Sequence, residues 1–112
     1  MGTDWVSEAI EKATILLSKW RARDVKLWDY TPTLVKLTLR VESPDIPGNL
    51  HIVCGGCSYI RGPFRWRECK LQVERGAGED GGMVLRDEAA GFELVCRVVS
   101  VEENVEPVYM RT

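Results

Sequence analysis

A chain of 112 residues, 45% hydrophobic and 29% charged with a net charge of -2, falls within the size range of one soluble domain spanning 1–112. That composition excludes a disordered segment, and the near-neutral charge excludes a protein that coats DNA by bulk electrostatics. No window approaches the roughly 18 apolar residues of a membrane span, and the opening MGTDWVSEAIEK lacks the features of a secretory leader, so a cytoplasmic protein with reduced thiols and no membrane partner is expected.

Val6, Ile10, Ala13, Leu17 and Trp20 recur in alternating steps of four and three, which predicts one amphipathic helix over about Asp4–Arg21. Thr3 or Asp4 can cap its start, and Lys19, Arg21 and Arg23 suit its carbonyl-rich end. Strands follow. Val25–Tyr30 leads through Thr31-Pro32-Thr33 into a segment where Val35, Leu37, Leu39 and Val41 alternate with polar residues, the pattern of a hairpin with one buried face. Ser43–Asn49, with two prolines and a glycine, breaks the chain before a third strand at Leu50–Cys54.

Gly55-Gly56 interrupts that strand, Cys57–Arg61 continues it, and Pro63 suits a turn. Trp66–Glu74 reads as one strand with Cys69, Leu71 and Val73 inward and Trp66, Glu68, Lys70 and Gln72 outward. Arg75–Gly82 reads as a loop, Met83–Asp87 as a short strand, Glu88–Gly91 as a turn and Phe92–Glu102 as a longer strand, with the last residues fraying. One helix and about six short strands predict an α+β fold, the N-terminal helix packed on one face of a mainly antiparallel sheet.

Three motifs invite chemistry. GAGEDG at Gly76–Gly81 matches a dinucleotide fingerprint in letters, but a strand follows instead of a helix, and Glu79 and Asp80 repel phosphate. CGGC at Cys54–Cys57 lacks the following helix that lowers a thiol pKa, because Gly62-Pro63 comes next. Cys54, Cys57, Cys69 and Cys96 have the chemistry of a closed zinc site, yet there is only one C-x-x-C knuckle. Cys54, Cys69 and Cys96 instead share the parity of neighbouring apolar residues, as small core side chains do. No cofactor or metal is expected. His51, the one histidine, projects to the face opposite Cys54, which argues against a Cys–His dyad and, with no convergent acid pair, against an enzyme.

The remaining cluster, YIRGPFRWR, interleaves Tyr59, Phe64 and Trp66 with Arg61, Arg65 and Arg67. Such residues anchor protein interfaces, and they also stack bases and pair phosphates in single-strand binders. The last strand adds a second hint, because Val95, Val99 and Val101 lie opposite Phe92, Leu94, Cys96 and Val98, while Trp28 and Tyr30 lie opposite Val25 and Leu27. Either the sheet curls enough to bury both sides, or part of an outer face is a contact surface. The expectation is a non-enzymatic module that binds a protein partner or its own copy, with Trp66 as anchor and the three arginines meeting an acidic partner. Single-stranded nucleic acid is the alternative ligand for the same residues, followed by a structural-zinc protein or a pocket-type ligand binder.

Overall fold

The computed structural model describes residues 5–31, 35–76 and 82–104. Helix α1 (Trp5–Lys19) is followed by β1 (Asp24–Thr31), β2 (Lys36–Ser43), β3 (Ile46–Gly55), β4 (Tyr59–Arg61), β5 (Arg65–Trp66), β6 (Gln72–Arg75), β7 (Met83–Asp87), β8 (Phe92–Cys96) and β9 (Val98–Asn104). A 3-10 turn at Glu88–Ala90 separates β7 from β8, capped by Asp87 before it and by left-handed Gly91 after it. The α+β class and antiparallel pairing agree with the sequence reading. The number of strands does not: among the described residues nine strands form a five-stranded sheet in the order β5-β1-β2-β3-β9 and a four-stranded sheet in the order β4-β8-β7-β6. The predicted helix cap at Thr3 or Asp4, the Pro32-Thr33 turn, positions 77–81 of the long loop and the final residues 105–112 lie outside the described residues.

The two sheets share one hydrophobic cluster. Val25, Leu37, Leu39, Val41, Leu50, Ile52, Cys54, Val99 and Val101 come from the first sheet, and Val73, Met83, Leu85, Phe92, Leu94 and Cys96 come from the second. At roughly 25 cal/mol per Å² of apolar area, burial between the sheets is the main source of stability. Helix α1 packs on β9 and β6, which are terminal strands of the two sheets. Ala13 and Leu17 on its inner face and Trp20 just beyond its end are buried in the same cluster. The Trp20 indole donates to Glu103 at 2.8 Å, Lys19 pairs with the same carboxylate at 2.7 Å, and the Arg23 guanidinium lies 4.4 Å above the Trp20 ring. The Cys69 thiol donates to the carbonyl of Trp20 at 3.6 Å, meeting one of the carbonyls that a helix end leaves unpaired.

The apparent two-sided strand at Phe92–Glu102 has a topological cause. The chain leaves one sheet and enters the other at Arg97, whose N–H donates to the Gly55 carbonyl at 3.0 Å. Before this joint the even-numbered Phe92, Leu94 and Cys96 are buried, and after it the odd-numbered Val99 and Val101 are. Both sets face the same interior, so curling of the sheet into two layers accounts for the double apolar pattern. Gly56 makes room at this joint: its φ is +65°, and a Cβ there would meet Arg97 Cγ at 2.9 Å. The glycines of CGGC thus serve the crossing between sheets.

Candidate functional site

The segment read as one strand from Trp66 to Glu74 is two strands in different sheets. Trp66 ends β5, Glu68 takes φ +52°, and pairing resumes at Gln72. That break corrects the parity that turned Trp66 outward with Glu68, Lys70 and Gln72. Trp66 is half-buried, its ring 4.8 Å from Phe92, and its Nε1 donates to Asp87 Oδ2 at 2.7 Å. Asp87, 1% exposed, also accepts from the Lys70 amide at 2.8 Å and from the Ala90 amide at 3.4 Å. A buried carboxylate is tolerated when donors surround it, and this one joins β5, the loop after it and the 3-10 turn. Trp66 is therefore part of the scaffold of the corner, and Asp87 is the residue that sequence reasoning overlooked.

Phe64, two residues earlier, has the opposite setting. It is 74% exposed and lines a groove of ≈ 640 Å³ with Leu27, Tyr30, Val35, Leu37 and Ile60. Tyr59, Cys57 and Ser58 complete the lining. Strand geometry explains how these residues meet. In the β1–β2 ladder Leu27 faces Leu39 but Asp29 faces Thr38, so Trp28 is an extra, bulged residue. The bulge resets the parity, and Tyr30 pairs with Leu37 on the inner side, which corrects its expected place beside Trp28 on the outer face. Trp28 remains outside, under Arg40 at 4.1 Å and 6.1 Å from His51. Ile60 pairs with buried Leu94, while Tyr59 and Arg61 take the outer side of the four-stranded sheet. The turn that presents Phe64 requires Gly62, with φ +128° and only 2.7 Å from a would-be Cβ to Phe92 Cα.

The three arginines separate. Arg61 pairs with Glu93 at 3.2 Å, Glu93 with Arg86 at 2.9 Å, and Arg86 with Glu74 at 2.7 Å, a charged ladder across four strands. Arg86 and Arg61 hold the Glu93 carboxyl below its usual range. Arg65 and Arg67 are exposed and make no ion pair among the described residues. They line a second cavity of ≈ 450 Å³ with Asp24, Lys26, Glu42 and Trp66. Glu42 there is engaged by Lys26 at 3.0 Å and by Arg40 at 3.1 Å.

The thiols divide three and one. Cys54, Cys69 and Cys96 are buried, as the alternation implied, and Cys57 is half-buried at the groove. All four are free, and no group of three or more His, Cys, Asp or Glu side chains is placed to hold a metal ion among the described residues. A hydrogen bond with Cys96, then burial, pushes the Cys54 thiol well up. Burial pushes Cys57 up to about 11 and raises Cys69 as well. These three groups are protonated thiols at neutral pH, the opposite of the depressed values that make a nucleophile. His51 lies on the outer face opposite buried Cys54, paired across strands with Arg40 and Glu102. Burial, then the Arg40 charge, lowers its pKa.

Of the six residues read from sequence, the fold brings Tyr59 and Phe64 to the groove, sets Arg65 and Arg67 beside it on the outer face of the five-stranded sheet, ties Arg61 into the ladder and folds Trp66 inward. Val35 and Ile60 join the groove unforeseen by the sequence pattern, and Tyr30 reaches it from the inner side instead of the outer face expected of it. The chain matches no protein-family model, no curated protein and no solved structure. No helix among the described residues is long and apolar enough to cross a membrane.

Proposed function

We propose that this chain is a non-enzymatic protein-interaction module whose contact surface is the groove between Tyr30, Val35, Tyr59, Ile60 and Phe64. One observation carries the reading: these five residues, each with an exposed large apolar side chain, all line a single groove of ≈ 640 Å³. Scattered exposed apolar residues are ordinary, whereas a contiguous group beside polar surroundings marks a contact surface. Phe64 replaces Trp66 as the anchor, because truncating its exposed side chain breaks no internal hydrogen bond. The raised thiols of Cys54, Cys57 and Cys69 and the placement of His51 on the face opposite Cys54 favour binding over catalysis, and Cys96, whose pKa the hydrogen bond with Cys54 lowers, is buried.

Selection of displayed peptides on the wild-type protein, with counter-screening on Phe64→Ser, tests this reading. Enriched ligands are expected to lose at least about tenfold in affinity on the variant, as anchors of interfaces do. Ligands that bind both proteins equally would remove the groove from consideration. Single-stranded nucleic acid is the second reading, favoured by the unpaired Arg65 and Arg67 next to Phe64. Oligonucleotide binding that weakens steeply with salt and depends on both arginines would support it.

A further inference from the structure

The hydrogen-bond register of β5 carries the groove reading a step further, to the kind of partner. The Leu27 amide donates to the Phe64 carbonyl at 2.8 Å, and the ladder continues with Lys26 opposite Arg65 and Val25 opposite Trp66. In an antiparallel ladder, residues alternate between bonding inward and pointing their N–H and C=O outward. Phe64 and Trp66 therefore bond to β1, and Arg65 points its backbone groups away from the sheet, with Arg67 in the bend that follows β5. Since β5 is the terminal strand of the five-stranded sheet, these groups form an open edge.

The side chains along this edge alternate too. Arg65 shares the outer face with Lys26, while Phe64 and Trp66 take the inner face with Leu27 and Val25. A strand laid on the edge meets guanidinium on one face and aromatic carbon on the other. The neighbouring Lys26, Arg40, Arg61 and Arg86 are each matched by a carboxylate, whereas Arg65 and Arg67 are not. Two copies of β5 paired about a two-fold axis would place arginine against arginine, which disfavours self-association here.

We propose that β5 is the docking edge for an extended acidic segment of a partner protein, which adds to the sheet as a sixth strand with carboxylates against Arg65 and Arg67 and apolar side chains beside Phe64. This rests on the protein-binding reading and names its partner chemistry. Strand addition draws affinity from main-chain hydrogen bonds and specificity from alternate side chains. Nucleic acid lacks the backbone donors and acceptors to continue a sheet.

The test is fluorescence anisotropy with a labelled, end-capped peptide alternating Glu with Val and Phe, measured on the wild type, on Phe64→Ser and on the double variant Arg65→Glu, Arg67→Glu. Three outcomes are expected: binding by the Glu peptide, a loss of about tenfold or more on the double variant, and recovery there with a peptide carrying Lys for Glu. N-methylation of alternate peptide amides, which removes backbone donors but no side chain, is expected to abolish binding. Indifference to N-methylation or to charge reversal overturns the strand addition. If binding then still requires Phe64, the groove reading survives alone. If the Glu peptide fails to bind at about 1 mM, the acidic-strand proposal falls, and the peptide selection judges the groove independently. Matching melting temperatures for the variants establish that each is folded.

Discussion

Replacing Asp87 by alanine strands the Trp66 indole N–H and the Lys70 amide at once, because both donate to the same oxygen. The expected loss is about 2 kcal/mol of unfolding free energy, the cost of leaving two part-buried donors unpaired. Trp66→Ala is expected to lose about 2 to 3 kcal/mol, toward the low end for a large aromatic because Trp66 is only half-buried. Phe64→Ser is expected to stay within about 0.5 kcal/mol of wild type. Urea unfolding of the three variants measures this. A Trp66→Ala protein as stable as wild type would return that indole to the surface. The residue types of the corner were legible in the sequence, but the partner of Trp66 was not. Asp87 lies 21 positions away, and only the packing of the two sheets brings it close.

At the scale of elements, the segments that form strands could largely be read from alternation, though not their division into nine strands, and burial of Cys54, Cys69 and Cys96 followed from it. What could not be read were the places where the count of two is interrupted: the bulge at Trp28, the left-handed Glu68 and the crossing at Arg97. Counting parity assumes an unbroken pleat, and each interruption shifts all later side chains to the other face. Tyr30 and Trp66 were misplaced for this reason. The turn between β4 and β5 is as specific as the strands. Gly62→Ala forces a Cβ against the Phe92 backbone at a φ that L residues avoid, at an expected cost of about 2 kcal/mol. Ligand selected on the wild type should bind this variant more weakly, since Phe64 is displaced with the turn. Unchanged stability and binding would show that the turn is pliant.

For the whole molecule, the two-layer arrangement leaves charged groups on the outer faces, and they set its response to acid. Burial, then Arg40, holds His51 below its ordinary 6.5. Between that lowered value and 6.5 the unfolded chain binds a proton that the native state does not, so stability is complete above this window and falls as pH drops through it. Glu42, Glu93 and Glu103 are held below their ordinary 4.5, chiefly by hydrogen bonds from Lys26, Arg86 and Lys19 respectively. Their contribution is present above 4.5 and is lost as pH falls through the lowered values. Urea unfolding against pH should therefore show two stages of loss, and His51→Gln should remove only the upper one. An upper stage that persists in His51→Gln would assign it to another group.

The proposed binding role rests on the open edge beside an exposed apolar groove, and amide hydrogen exchange reads that edge directly. In the free protein the Arg65 and Arg67 amides should exchange fast while the Trp66 amide, bonded to β1, is protected. Saturation with the alternating Glu peptide should slow Arg65 and Arg67 and leave Trp66 as it was. Arginine amides that are already protected in the free protein, or that exchange equally fast with peptide bound, would contradict the account.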